Sequence, residues 1–192
     1  MRLIVLRHGE SQANVDDFIN DNPARPVPLT VRGQAQARAA AERVVECLAA
    51  EPLAKAWCSE FLRTRQTAEI ILRGQGCLLL EDARLNERRS MLDGQPTAAF
   101  NDLVRPDPVT IRPPGGETFV EVMARMAAFL EAIRYEPKGP LLAVTHENPL
   151  LALIGLLLET PEEAVRRTLA NCALIECWLG QDGWRLKSYS ES

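Results

Sequence analysis

Two hydrophobic rhythms alternate along this chain. Short, nearly unbroken apolar runs at residues 2–6, 54–58, 77–80 and 141–145 read as buried strands. Between them lie longer stretches with helical spacing. The Ala-rich segment 30–49 opens on Thr30, a suitable N-cap. A second helix is expected from about Glu60 to Arg73, capped by Ser59. A third, from about Thr118 to Arg134, repeats Phe119, Val122, Met123, Met126, Phe129, Leu130 and Ile133 at helical intervals. Asn148 is placed to cap a fourth, with Pro149 at its first position. Segments 171–179 and 184–189 complete the strands. The stretch 81–116 is less regular: a short helix over 97–104, then Pro106, Pro108, Pro113, Pro114 and Gly115-Gly116. Loops of that length in a compact domain tend to carry function.

Strands alternating with helices predict an α/β fold, a three-layer α/β/α sandwich around a mostly parallel sheet. With 192 residues, 46% of them hydrophobic, the chain has enough apolar surface for one core and is read as a single domain, 1–192. It shows no internal repeat and no interdomain linker.

Charge narrows the partners. The net charge is −4 and no dense Lys/Arg block occurs, so nothing favours nucleic acid or a membrane surface. An anionic substrate must therefore meet a local arginine cluster. The five cysteines are odd in number and include no CxxC pair, which argues against a disulfide framework or a zinc knuckle. The apolar run Leu3–Leu6 is too short for a signal peptide, and Pro149–Leu158 is too short to cross a bilayer. A reducing cytoplasmic setting is expected. Oligomeric state is not readable.

The chain has two histidines, and each closely follows an expected strand: His8 after Leu3–Leu6, His146 after Leu141–Thr145. Ligands of open α/β sheets gather at the carboxyl ends of strands, so two histidines distant in sequence can share a pocket. A nucleophilic imidazole needs one bare nitrogen, which an acceptor at the other nitrogen secures. Arg7 offers paired planar donors for phosphate oxygens, and its charge lowers the pKa of the neighbouring histidine. Arg63, near the start of the helix after the second strand, can point at the same pocket. Arg65, two positions on, should face elsewhere, solvated or paired with Glu69.

Taken in order, Arg7-His8-Gly9-Glu10-Ser11, Asn14, Pro28-Leu29-Thr30-x-x-Gly33-x-x-Gln36-Ala37, Ser59-x-x-x-Arg63-x-x-Gln66-Thr67-Ala68, Gly115-Gly116-Glu117-Thr118 and Val144-Thr145-His146 resemble the histidine phosphatase superfamily, the phosphoglycerate mutase-like family. The resemblance runs from residue 3 to about residue 150. It implies that His8 attacks phosphorus and becomes phosphorylated, with Arg7, Arg63, His146 and Asn14 on the equatorial oxygens. It further implies that Glu87, in Leu85-Asn86-Glu87, protonates the leaving group, and that no metal or other cofactor takes part.

Three features depart from the family pattern. The segment Arg88-Arg89-Ser90-Met91-Leu92-Asp93-Gly94 is a residue shorter and lacks a glycine, which makes Asp93 a reserve acid. His146 is followed by Glu147 where glycine is usual, placing a carboxylate beside a dianion site. The tryptophan common near Asn14 in the mutase branch is absent. The reading is a phosphomonoesterase acting on a small phosphorylated metabolite. The alternatives are a phosphoglycerate mutase and a non-catalytic protein that binds phosphate ligands.

Overall fold

A computed structural model of the chain describes residues 1–136 and 139–190. Six strands, β1 (Arg2–Arg7), β2 (Lys55–Cys58), β3 (Leu79–Glu81), β4 (Leu141–Thr145), β5 (Leu174–Gly180) and β6 (Gly183–Ser190), form one sheet in the order β3-β2-β4-β1-β5-β6. The pairings β3-β2, β2-β4 and β4-β1 are parallel, whereas β1-β5 and β5-β6 are antiparallel. The mostly parallel α/β sheet expected from the sequence is present.

The helices are α1 (Gln12–Val15), α2 (Val31–Leu48), α3 (Leu62–Ile71), α4 (Thr97–Val104), α5 (Phe119–Ile133), α6 (Glu147–Leu158) and α7 (Pro161–Ala164). Successive strand residues face opposite sides of a sheet, and both sides are buried here. Leu3, Val5, Leu141 and Ala143 pack with α5 and α6. Ile4, Leu6, Leu142 and Val144 pack with α2 and α3 on the other face. No described helix is long and apolar enough to cross a membrane.

Several local expectations need correction. Ser59 does not cap α3, whose N-cap is Phe61; the Ser59 hydroxyl is turned to His146 instead. The helix after β4 starts at Glu147 with His146 as N-cap, so Pro149 is its third residue. Proline is tolerated there because the first four N–H groups of a helix have no partner within it. Arg65 pairs with Glu81 at the end of β3, not with Glu69. The fifth strand begins at Leu174, because residues 171–173 instead turn back to bond the backbone of residues 7 and 8. At the start of α5, Thr118 and Glu121 form a capping box, which fixes the end of the proline-rich segment.

Because β1, β4 and β2 run parallel and in register, Arg7 lies beside Thr145 and Cys58 beside Val144. The next residues, His8, His146 and Ser59, therefore emerge together at one sheet edge. A tight packing of two glycines holds this edge. A Cβ on Gly9 would come within 2.4 Å of the Gly33 carbonyl oxygen, and one on Gly33 within 2.0 Å of the Glu10 oxygen. Only hydrogen at both positions lets the loop after β1 lie on the first turn of α2. Gln36 accepts from the Glu10 N–H, Thr67 from the Gly9 N–H and Gln66 from the Leu29 N–H. The motif residues of α2 and α3 thus clamp the loop that presents His8.

Candidate active site

His8 Nδ1 lies 2.7 Å from its neighbour's carbonyl, Gly9 O, and Nε2 receives the Arg63 Nε–H at 3.0 Å. A carbonyl can only accept and a guanidinium can only donate, so the proton is on Nδ1 and Nε2 is unprotonated, its lone pair accepting from Arg63. Burial, then the charges of Arg63 and Arg7, hold the His8 pKa well below its usual value of 6.5. The imidazole is neutral at neutral pH.

The His146 ring is 5.1 Å from the His8 ring, centroid to centroid, and fully buried. Its Nδ1 accepts from Arg63 Nη2 at 3.0 Å, so Nε2 carries the proton and donates to Ser59 Oγ at 2.7 Å. Ser59 Oγ lies 2.7 Å from Thr64 Oγ1, which donates to Phe61 O at 2.7 Å. This chain fixes the tautomer of His146 and aims its Nδ1 at Arg63 and His8. Burial, reinforced by Arg63, also lowers the His146 pKa.

Arg63 connects the two imidazoles. Burial lowers its pKa to about 10, so it stays charged at neutral pH. Two further N–H groups go to Asn20, at the side-chain oxygen and the carbonyl. Arg7 bonds the Leu169 carbonyl and lies 3.2 Å from Glu147 Oε2. Asn14 Oδ1 accepts from Ser11 N and Oγ, which leaves its Nδ2 donors for a ligand.

Arg7, His8, Asn14, Arg63 and Glu87 all line one pocket of about 740 Å³. His146 does not reach that surface; it lies behind Arg63. Glu87 accepts the Arg88 N–H at 2.8 Å, and burial raises its pKa above the usual 4.5 against the opposing pull of that hydrogen bond and Arg63. Asp93 lies outside the pocket lining, bound to Asn20, Asp21 and Arg25. The lining also holds apolar Phe18, Phe100, Val104 and Leu151, interspersed with polar and charged residues such as Asp21, Asn101, Arg105 and Arg166. Among the described residues no group of three or more His, Cys, Asp or Glu could hold a metal ion.

A family model described as the histidine phosphatase superfamily (branch 1) matches residues 3–192. The chain belongs to this superfamily. It is 34% identical to the probable phosphoglycerate mutase GpmB of Photorhabdus laumondii, the match covering 91% of this chain and 83% of that one. Among solved structures it is similar to the α-ribazole phosphatase of Shigella flexneri, at 25% identity and a TM-score of 0.81, covering 100% and 98% of the two chains. It is equally similar to mycobacterial glucosyl-3-phosphoglycerate phosphatase in complex with VO3, at 27% identity and a TM-score of 0.81, covering 100% and 99%.

Sequence reasoning missed three contributors. Ser59 stood in the motif, but its position beside His146 needs the β2-β4 register. Asn20, which holds Arg63, sits in a proline-containing loop with no periodicity to mark it. Asn171 donates to the His8 carbonyl from a turn within 171–179, a segment whose pattern reads as strand throughout.

Proposed function

We propose that this protein is a phosphomonoesterase that works through a phosphohistidine on His8, with no metal required. The observation that supports this reading is the unprotonated His8 Nε2, held by Arg63, with the ring's other nitrogen tied to the Gly9 carbonyl. In the first step the Nε2 lone pair forms the N–P bond as the P–O bond of the ester breaks. Glu87, protonated, gives its proton to the departing alkoxide. In the second step water attacks phosphorus, Glu87 as carboxylate takes the water proton, and His8 leaves as the neutral imidazole. Arg7, Arg63 and the Asn14 amide hold the equatorial oxygens, where charge accumulates in the transition state. His146, buried behind Arg63 with its Nδ1 accepting from Nη2, acts through that guanidinium, which it holds against His8.

The name carried by the 34%-identical relatives favours a second reading, phosphoglycerate mutase. The pocket supports hydrolysis instead. It extends well beyond the arginines, and Phe18 and Phe100 in its lining offer apolar surface to an ester larger than a three-carbon acid. A mutase must also keep water from the phosphoenzyme. The deciding experiment supplies a panel of phosphomonoesters, including α-ribazole phosphate and 3-phosphoglycerate, in the presence of a chelator. Inorganic phosphate release from the bulkier esters is expected. Rapid interconversion of 2- and 3-phosphoglycerate primed by 2,3-bisphosphoglycerate, with little phosphate released from any ester, would place the protein in the mutase branch.

A further inference from the structure

Glu147 occupies the position after His146, where a carboxylate is unexpected in a dianion site, and its surroundings give it a defined task. Its Oε2 lies 3.2 Å from Arg7 Nη2, and its Oε1 accepts the Leu169 N–H at 2.9 Å. Arg7 Nη1 donates in turn to the Leu169 carbonyl. Arginine, glutamate and the backbone of Leu169 close a ring that joins the end of β1, the start of α6 and the wall after α7. Arg7 Nε is buried without a hydrogen-bond partner. One of the two inner cations is therefore already half matched by protein.

The charge around the phosphate position is correspondingly spare. Arg7 and Arg63 face Glu147 and Glu87, and a third carboxylate, Asp21, lines the same pocket. The Arg88 guanidinium is largely committed to the wall, where it donates to the carbonyls of Glu117, Pro108 and Ile111. Of the other arginines of the lining, Arg105 and Arg166 are exposed, where solvent and salt screen them, and Arg167 is half-buried. A single phosphate group is matched by Arg7 and Arg63. A second anion on the same substrate that comes close to Arg7 meets the Glu147 carboxylate.

We infer that Glu147 is a specificity-determining residue that selects against esters carrying a second anion close to the phosphate. The favoured substrates are monoesters whose body next to the phosphate is uncharged and bulky enough to meet Phe18 and Phe100. Specificity of this kind is built by placing repulsion against the unwanted ligand as well as attraction for the wanted one. The inference rests on the reading that the His8 pocket receives a phosphate ester.

Glycerol 3-phosphate and 3-phosphoglycerate differ by a hydroxymethyl group against a carboxylate and have nearly the same shape, so their kcat/KM ratio isolates the second charge. The wild-type enzyme should favour the alcohol. Glu147→Gln should shrink that preference by about tenfold, as expected for two charges several ångströms apart in a partly screened site. Glu147→Asp, which keeps the charge, should retain the preference. A purely structural role for Glu147 would lower both substrates alike and leave the ratio unmoved, and that result in a folded Glu147→Gln would overturn the inference. Should Glu147→Gln not fold, Glu147→Gly takes its place with the same expectation. Calorimetric titration with 2,3-bisphosphoglycerate and with inorganic phosphate repeats the comparison without turnover. There the bisphosphate should gain about tenfold relative to phosphate in the variant, and no relative gain counts against the inference. Absence of turnover by the wild type would instead refute the hydrolytic reading and leave the titration to judge Glu147.

Discussion

Glu87→Gln should remove the alkaline limb of the pH profile for alkyl phosphates. The first chemical step needs His8 neutral and Glu87 protonated at the same time. In water a carboxyl of pKa 4.5 loses its proton before an imidazole of pKa 6.5 does, so the two conditions conflict. Midway between those values each group is in the required form about one time in eleven, so the productive state is about 1% populated at best. Burial at this site moves both groups the right way, lowering His8 and raising Glu87. Each unit gained on either side multiplies the productive fraction by up to about ten until the order is inverted. The wild-type kcat/KM for an alkyl phosphate should then rise through an acid limb below 6.5 and fall through an alkaline limb above 4.5. In Glu87→Gln the alkaline limb should vanish relative to wild type, and the rate at the optimum should drop by about 10²–10⁴. The substrate's own ionisation is common to both enzymes and cancels in the ratio. p-Nitrophenyl phosphate, whose leaving group needs little protonation, should lose far less. Equal losses on both substrates, or an alkaline limb unchanged in the variant, would refute the assignment of Glu87 as the acid. The same comparison with Asp93→Asn should show no leaving-group dependence, since Asp93 faces Asn20 and Arg25 outside the pocket.

Other consequences follow from single contacts. Arg63→Ala removes the donor that joins both histidines and should cost about 10²–10³ in kcat, read by steady-state kinetics on p-nitrophenyl phosphate. Ser59→Ala leaves the His146 Nε2–H buried without its acceptor and should cost about 1–3 kcal/mol of stability in urea unfolding. Gly33→Ala forces a methyl group onto the Glu10 backbone, a contact that no rotamer change relieves. It should cost about 1–3 kcal/mol or more in the same unfolding assay and lower kcat through displacement of the His8 loop.

Much of this architecture was readable because burial on both faces leaves a plain mark. Leu3–Leu6 and Leu141–Thr145 are continuous apolar runs, which only a covered strand can afford, and the amphipathic spacing of 119–133 is that of a helix on its outer layer. The placement of His8 and His146 at neighbouring strand ends followed from the strand-end rule and the parallel sheet, but only His8 lines the pocket that both were expected to share. What escaped was fixed by tertiary register and by local hydrogen-bond competition. Ser59 has the chemistry of a cap, yet a buried imidazole at 2.7 Å takes its hydroxyl. Asn148-Pro149 reads as a helix start, yet the helix begins earlier because Glu147 and His146 are already held by Arg7, Ser59 and Arg63. Asn20 is invisible in any pattern, since its bond to Arg63 depends on a loop folding back over the pocket.

The most direct test of a phosphohistidine route is to trap the intermediate. Wild-type enzyme mixed with a ³²P-labelled monoester and quenched within milliseconds should carry acid-labile, base-stable label. Peptide mapping should place that label on His8, and folded His8→Ala should carry none. Burst release of the alcohol with no label on His8, or full turnover by His8→Ala, would contradict the account at its centre.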